Sequence, residues 1–196
     1  MKKGKYLLPN LFTSANLVGG FLSMIAAHNG QYTHAAIWAV MAFARLGDSR
    51  RAWELFAMIN PVNHAGSAKA IATYKVEPYV VAADVYALRP HTGRGGWTWY
   101  TGSAGWMYRL ILESLLGLSL QVDKLHFAPC PPADWTEFKI HYRYRETIYH
   151  IAISMADAGG RTSVTVDGVE QQENAIPLID DGQEHSAELR IQIAGR

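Results

Sequence analysis

The sequence of 196 residues has little cysteine and no excess of charge of either sign. Its single cysteine, Cys130, excludes an internal disulfide and a cysteine-rich metal site. Eighteen basic and seventeen acidic residues give a net charge of +1, with no long block of one sign that would follow a phosphate backbone. We therefore predict neither a nucleic-acid partner nor a metal site.

Apolar residues are abundant, at 49% of the chain, and in the first half their spacing is helical. One amphipathic helix is predicted over 33–46 and a second over 51–59, with Gly47 as a stop and Asp48 as a cap between them. A loop is expected over 63–73. The loop leads to the segment "YKVEPYVVAADVYAL", and "SAGWMYRLILESLLGL", from about Ser103, ends the helical part, which indicates two helix pairs joined by loops.

From Leu125 onward, apolar and polar residues alternate, as is typical of strands with one buried face. Val164 to Val166, followed by Asp167-Gly168, predicts a hairpin strand and its turn. Helices first and strands second indicate two layers or two small domains, with the break inside "HFAPCPPADW". The alternating apolar positions are Phe138, Ile140, Tyr142, Tyr144, Tyr149, Ile151, Ile153, Leu189, Ile191 and Ile193.

The N-terminus carries three lysines before residues 6–27, which contain no charged residue. That pattern is typical of an export or membrane-entry segment. Several polar residues dilute the apolar run, and a buried helix of a soluble domain is the alternative.

The stretch "GRGGWTWYTGSAGW" combines five glycines with three tryptophans just before a predicted helix. Gly102 leaves its N–H open to an anion, and the helix N-terminus supplies about half a positive charge. Thr101 adds a hydroxyl donor. These features predict a site for a small oxyanion such as phosphate.

The aromatic residues of this region can provide flat walls whose N–H and O–H groups suit sugar rings. They are Trp97, Trp99, Tyr100 and Trp106. The alternative is a tight turn whose aromatic side chains fill a core.

Two further polar residues are candidates for the same site. His34, at the start of a predicted helix, can pair with a bound anion when its imidazole is protonated, or it is an ordinary surface or core histidine. Glu77 precedes Pro78 in an apolar segment, where we expect a buried, partnered carboxylate. Its alternative role is a structural hydrogen bond to a loop.

Long segments resemble the C-terminal end of the glycoside hydrolase family 94 phosphorylase module, most closely the branch of cyclic β-1,2-glucan synthases. They include "NGQYTHAAIWAVMAFARLGDSRRAWELFAMINPVNHA", "YKVEPYVVAADVYA" and "HTGRGGWTWYTGSAGWMYRLILESLLGL". The resemblance starts near Asn29 and implies the last helices of an (α/α)6 toroid followed by a β-sandwich-like strand domain. We accordingly divide the chain into 1–28, a partial toroid over 29–124 and a β-sandwich region over 125–196.

The resemblance also implies inverting phosphorolysis of a β-glucosidic bond, with inorganic phosphate as co-substrate and no other cofactor. His34, Thr101 and Gly102 match phosphate ligands of the family, and Glu77 matches a glutamate of its "EPY" motif, which we assign to the pocket lining. The family's catalytic aspartate lies upstream of the matched region. We therefore predict no catalytic residue in this chain.

Residues 1–28 instead resemble the first membrane segment of bacterial phosphatidylserine synthases, of the CDP-alcohol phosphatidyltransferase family. That family's metal-binding D-G-x-x-A-R signature is not found in the sequence. We infer a fused, rearranged or truncated reading frame, with the join near His28 or Asn29.

These observations leave three functional hypotheses. The first is a fragment of a bacterial carbohydrate-active enzyme of β-1,2-glucan synthesis or phosphorolysis, inactive alone and either cytoplasmic or associated with the inner membrane. The second is a membrane-tethered carbohydrate-binding or structural remnant, and the third is a phosphatidyltransferase-related protein. The expected partners are a β-glucan or oligosaccharide, phosphate, the missing part of the toroid or a second copy, and a membrane.

Overall fold

The computed structural model describes residues 33–156 and 161–192, which belong to two compact units. The first unit ends at Leu110 and the second begins at Ile111. The segment 1–28, with its predicted membrane helix, lies outside the described residues. Within the described ranges, no helix has both the length and the apolar character needed to cross a bilayer.

The first unit is built from helices around α1. Apolar residues of α1, among them Ile37 and Val40, are fully buried, and α1 packs against both α2 and α4. The helices are α1 (Thr33–Arg45), α2 (Ser49–Ile59), a 3-10 turn (Pro61–Ala65), α3 (Ala68–Tyr74) and α4 (Thr101–Arg109).

Local signals account for the helix ends. Gly47 has a left-handed φ of 74°, and the Asp48 side chain accepts a hydrogen bond from the Arg51 N–H at 3.1 Å, as the sequence predicted. Helix α3 occupies most of the predicted loop over 63–73, so that prediction is wrong. Ser67 caps α3 by accepting a hydrogen bond from the Ala70 N–H at 3.1 Å.

Residues 75–100 contain no helix in the structure, so "YKVEPYVVAADVYAL" does not supply a helix to the two predicted pairs, and that prediction is wrong here. Backbone pairing holds this segment together. Val85 forms an isolated antiparallel bridge with Gly95, and the Tyr86 N–H donates to the Arg94 carbonyl at 2.9 Å. A Cβ at Gly95 would overlap the Val76 side chain, so only glycine permits this close approach.

The second unit contains two sheets. A π-helical turn, Leu110–Leu115, leads into its strands. One sheet has the order β1-β2-β7 and the other β3-β4-β8-β5-β6, and among the strands of the described residues only the β4–β8 pair is parallel. The strands are β1 (Leu118–Gln121), β2 (Lys124–Phe127), β3 (Glu137–Tyr144), β4 (Thr147–Met155), β5 (Ser163–Val166), β6 (Val169–Glu170), β7 (Ala175–Pro177) and β8 (Glu184–Ile191).

Both sheets contribute to one hydrophobic core. Tyr149 and Ile151 of β4 and Leu189 of β8 are buried together with Leu125 and Ile176 of the smaller sheet. Their alternation with polar residues places one face of each sheet inside. The predicted order, helices followed by a β-sandwich-like strand region, is therefore confirmed.

The strand region begins at Leu118, earlier than the expected boundary at residue 125. Strand β1 has one buried residue in four, so its sequence shows little alternation. The predicted break in 126–135 connects β2 to β3 inside the second unit, where the Cys130 N–H donates to the Leu115 carbonyl at 3.0 Å.

Candidate functional site

Two backbone hydrogen bonds join the start of α1 to the glycine- and tryptophan-rich segment. The Thr33 N–H donates to the Ala83 carbonyl at 2.8 Å, and the Ala83 N–H donates to the Trp97 carbonyl at 2.7 Å. Both bonds are made by one residue, so the first turn of α1 lies close to the residues that precede α4. His34, which follows Thr33, is therefore linked through Ala83 to the backbone of Trp97.

Helix α4 begins at Thr101, two residues earlier than the sequence predicted. Its N-cap residue, Tyr100, makes no side-chain capping hydrogen bond, and no acidic residue lies in the first turn. Thr101 and Gly102 are exposed, whereas Ser103 is buried. The positive end of this helix is therefore accessible at the two predicted phosphate ligands.

Gly102 also permits a close aromatic contact. A Cβ at this position would lie 3.1 Å from the ring of Tyr100, which is tighter than an ordinary contact. The Tyr100 ring in turn stacks on Trp97, with 4.8 Å between centroids. The helix start and part of the predicted aromatic wall are therefore adjacent.

The predicted aromatic residues are exposed or half-buried, the half-buried ones being Tyr100 and Trp106. Trp97 is 68% exposed, Trp99 is 70% exposed, and Tyr79 is 73% exposed. Tyr79 meets Trp99 edge-on at 6.4 Å between centroids. The core-filling alternative does not describe Trp97 and Trp99, since large aromatic side chains are normally well buried.

Asp84 fixes the backbone beneath these rings. Its carboxylate accepts a hydrogen bond from the Trp97 N–H at 3.0 Å, and its carbonyl accepts one from the Gly96 N–H at 2.9 Å. Trp99 adopts a left-handed φ of 59°, a conformation that costs a bulky residue about 1 to 3 kcal/mol. Sequence reasoning missed Asp84, whose only signal was a carboxylate in the apolar run "VVAADV".

His34 contacts α4 through a second tryptophan. The His34 ring meets Trp38 edge-on at 5.6 Å between centroids, and Trp38 meets Trp106 in the same manner at 5.5 Å. The Arg109 guanidinium lies 5.0 Å from the centre of the Trp106 ring. Trp38 was not predicted, although its spacing of four residues from His34 places both on one helix face.

Glu77 does not occupy the environment that the sequence indicated. Its side chain is exposed, so the expectation of a buried carboxylate is wrong. Lys75 ends α3 with a left-handed φ of 56°, and the Val80 N–H donates to the Glu77 carbonyl at 3.1 Å. This turn carries Glu77 outward, two residues before Tyr79.

In the second unit, a groove of about 390 Å³ crosses the outer face of the five-stranded sheet. Its lining includes Lys139 of β3, Ala152 and Ser154 of β4, and Glu188 of β8. None of the predicted site residues lines it. Within residues 33–156 and 161–192, no group of three or more His, Cys, Asp or Glu side chains is arranged to hold a metal ion.

An electrostatic cluster of the second unit centres on His185. Its Nδ1 lies 2.6 Å from an Asp167 carboxylate oxygen, and its Nε2 lies 3.2 Å from Asp181. The hydrogen bond with Asp167 raises the pKa of His185, and the same bond lowers the pKa of Asp167. The pKa of Asp181 is also lowered, chiefly by the hydrogen bond that its carboxylate accepts from the Gln183 N–H. This cluster joins the β5–β6 turn to the loop before β8.

Two family models match the chain in succession. Residues 10–117 match the Glycosyl hydrolase 94 superfamily, catalytic domain, and residues 118–187 match the Glycosyl hydrolase family 65, C-terminal domain. The two matches meet where β1 begins. The first match starts at residue 10, earlier than the start near Asn29 that the sequence predicted, and so includes part of the segment 1–28.

Curated relatives include synthases and phosphorylases of sugar chains. Cyclic beta-(1,2)-glucan synthase NdvB of Rhizobium meliloti is 46% identical over 142 residues, covering 72% of this chain and 5% of the relative. N,N'-diacetylchitobiose phosphorylase of Vibrio furnissii is 31% identical over 173 residues, covering 84% and 21%. 1,2-beta-oligoglucan phosphorylase of Listeria innocua is 28% identical over 155 residues, covering 72% and 14%. The chain therefore spans about a fifth or less of each of these relatives.

Proposed function

Because the chain belongs to the glycosyl hydrolase 94 superfamily, we propose that it is part of a carbohydrate-active enzyme of β-1,2-glucan synthesis or phosphorolysis. It carries part of the phosphate and sugar site and lacks the general acid. The β-1,2 linkage is favoured because two of the relatives act, by name, on β-1,2-linked glucans. Phosphate as co-substrate is favoured because two of them are phosphorylases.

The observation that carries the proposal is the pair of hydrogen bonds through Ala83, which brings the start of α1 beside the segment leading into α4. His34 lies in the first turn of α1, and Thr101 and Gly102 begin α4. An accessible helix N-terminus attracts oxyanions through its N–H groups and its positive dipole end. The His34 imidazole and the Thr101 hydroxyl then add donors for the remaining phosphate oxygens.

The exposed rings of Trp97, Trp99 and Tyr79 supply the sugar-binding surface of this proposal. Sugar rings present apolar faces to aromatic side chains, while indole N–H and phenol O–H groups bond their hydroxyls. Asp84 holds the Trp97 backbone in place, so that ring is presented by a fixed main chain. Glu77, exposed two residues before Tyr79, remains a predicted pocket-lining residue.

In inverting phosphorolysis, a phosphate oxygen attacks the anomeric carbon while an acid protonates the departing glycosidic oxygen. The residues of this chain position phosphate and sugar but supply no acid in our proposal. General acid catalysis contributes about 10²- to 10⁴-fold, so the chain by itself should have no measurable turnover. In this proposal, activity requires the remaining helices and the acid, which lie upstream of the matched region in the family.

The test is release of glucose 1-phosphate from β-1,2-glucan in the presence of phosphate. The purified chain alone should match the blank. Adding the upstream catalytic portion of a family relative should restore release, and Thr101→Val should abolish that restoration. Thr92→Val, a change at another exposed threonine of the same unit, is the matched control. Release above the blank by the chain alone would contradict the proposed inactivity.

The second candidate is sugar binding without turnover. The exposure of Trp97, Trp99 and Tyr79 favours it independently of any catalytic group. A chain of this kind would bind a β-1,2-linked oligosaccharide, seen as a change in tryptophan fluorescence, yet fail to complement the upstream portion. The proposed tether is tested separately, by asking whether the full chain needs detergent to stay in solution.

A further inference from the structure

Two histidines face each other on the exposed face of the five-stranded sheet. His141 of β3 and His150 of β4 are direct partners in the antiparallel register. Their Nδ1 atoms lie 2.7 Å apart, and their rings meet at 81° with 4.9 Å between centroids. We propose that this pair binds a transition-metal ion such as Cu²⁺, Ni²⁺ or Zn²⁺.

Glu184 orients one of the two rings. Its carboxylate lies 3.0 Å from Nε2 of His150. A carboxylate accepts hydrogen bonds, so Nε2 of His150 carries the hydrogen and Nδ1 presents a lone pair toward His141. Metal-bound histidines commonly have this arrangement, in which a carboxylate holds the other ring nitrogen and fixes the tautomer.

The spacing of the two nitrogens is close to that of a shared metal. With metal–nitrogen bonds of about 2.0 to 2.1 Å, two ligand nitrogens lie roughly 2.9 Å apart at a right angle and roughly 3.3 Å apart at a tetrahedral angle. The observed 2.7 Å therefore needs to widen by roughly 0.2 to 0.6 Å, and both rings must turn so that their Nδ1 lone pairs converge on the ion. The metal replaces the hydrogen between the nitrogens, and that hydrogen moves through solvent to Nε2 of His141.

The charges around the pair are balanced. Lys139 and Arg143 flank His141 on β3, and Glu184 and Glu188 lie on β8 at the same face. Arg143 also bonds Glu146, at 3.0 Å. Two basic and two acidic side chains thus share this face with the pair, and Arg143 is itself paired with a carboxylate, so their net charge does not repel a divalent cation.

Two protein nitrogens leave the other coordination positions to water, in keeping with the lack of a larger ligand cluster among the described residues. The affinity of nitrogen ligands such as imidazole for divalent metals rises along the first transition row to Ni²⁺ and then Cu²⁺, and it is lower again for Zn²⁺. Mg²⁺ and Ca²⁺ prefer oxygen ligands and should not bind here. A bound ion would also clamp β3 to β4.

The experiment is a thermal-shift titration of the untagged full chain with CuCl₂, NiCl₂, ZnCl₂ and MgCl₂, together with retention on immobilised Cu²⁺. A metal ion that binds the folded chain but not the unfolded chain raises the melting temperature as its concentration increases. We expect a rise with Cu²⁺, smaller rises with Ni²⁺ and Zn²⁺, none with Mg²⁺, and retention on the column.

Variants assign the effect to the pair. His141→Asn and His150→Asn should each remove the shift and the retention, whereas Glu184→Gln should weaken binding by about tenfold. The matched control is His126→Asn on β2, whose register partners are Ser119 and Ala175 rather than a second histidine. Circular dichroism checks that each variant is folded. His141→Gln replaces His141→Asn if that variant is unfolded.

Two results would overturn the proposal. The first is an absence of both a Cu²⁺ shift and column retention in the unaltered chain. The second is a shift that persists in folded His141→Asn and His150→Asn, or that His126→Asn removes as fully as they do. A change in phosphate or sugar binding is not part of this test, so the outcome is independent of the proposed function.

Discussion

The strand core and the glycine- and tryptophan-rich segment of the helical unit place their large side chains in opposite ways. In the strand unit, Tyr149, Ile151 and Leu189 are buried in a core fed by both sheets. In the helical unit, Trp97 and Trp99 lie mainly at the surface on a segment without regular secondary structure. Exposed aromatic clusters on such segments are typical of binding surfaces, whereas a well-packed sandwich contributes stability.

Polar groups differ between the units in the same sense. The Thr147 hydroxyl accepts hydrogen bonds from the Asp181 and Gly182 N–H groups, each at 2.9 Å, and the Tyr149 hydroxyl accepts one from Ile179 at 2.8 Å. These two hydroxyl groups of β4 are thus satisfied within the strand unit. The start of α4 in the helical unit lacks a side-chain cap, which leaves it suited to a ligand.

The largest expected effect is on the strand core. Ile151→Ala removes a fully buried side chain and should lower the free energy of unfolding of the strand unit by about 2 to 5 kcal/mol. Trp99→Ala, at an exposed position, should change stability by no more than about 0.5 kcal/mol apart from any relief of backbone strain. Urea unfolding monitored by circular dichroism measures both. Equal losses of unfolding free energy in the two variants would contradict the difference between a buried core position and an exposed aromatic position.

The next effect concerns the backbone beneath the aromatic surface. A Cβ at Gly96 would overlap the Asp84 carboxylate. Gly96→Ala should therefore break the hydrogen bond from the Trp97 N–H to that carboxylate and lower the free energy of unfolding by about 1 to 3 kcal/mol. Gly105→Ala is the control, because no atom lies near its Cβ in α4 and a helical alanine gains about 0.5 to 1 kcal/mol. In thermal unfolding, Gly96→Ala should lower the melting temperature and Gly105→Ala should raise it.

The stability of the strand unit should also depend on pH. The pKa of His185 is raised from its ordinary 6.5 in the folded state. Its contribution to stability is therefore complete below pH 6.5 and is lost as the pH rises through the pKa of the folded state. The pKa values of Asp167 and Asp181 are lowered from 3.8 in the folded state, so the contribution of these carboxylates to stability is lost as the pH falls below 3.8. Denaturant midpoints should peak between these limits.

His185→Gln tests the assignment of the alkaline limb. It should flatten the decline above pH 6.5, because the titrating imidazole between Asp167 and Asp181 is gone. His126→Asn should leave the decline intact. A pH profile unchanged by His185→Gln would assign the titration to another group.

The smallest expected effect is relief of strain at Trp99. Its left-handed φ of 59° favours glycine, so Trp99→Gly should be more stable than Trp99→Ala by up to about 1 kcal/mol. Both variants should lose sugar-dependent fluorescence changes. A glycine variant less stable than the alanine variant would indicate that the backbone relaxes when the ring is removed.

Local sequence signals predicted the elements that depend on neighbouring residues. The Asp167-Gly168 turn has left-handed φ values of 50° and 80° between β5 and β6, as its residue types indicated. The Asp48 cap and the Gly47 stop lie where predicted. Helix α3 was missed although Ser67 followed by an alanine-rich segment is an ordinary helix start.

Long-range pairings were beyond local patterns. Asp84 meets Gly96 and Trp97 only after the chain folds back on itself, and His185 meets Asp167 across a sheet. Neither pair has a spacing that helix or strand periodicity would reveal. The predicted ligands His34, Thr101 and Gly102 came from helix-start chemistry and family resemblance, whereas the link through Ala83 required the structure.

The most direct test of the phosphate site is an NMR titration of the full chain with inorganic phosphate. The account predicts that the amide signals of Gly102 and Ser103 move in a saturable way, and that His34→Ala combined with Thr101→Val abolishes the movement while Thr92→Val preserves it. Unmoved Gly102 and Ser103 signals at saturating phosphate, or the same movement in the double variant, would contradict a phosphate site at the start of α4.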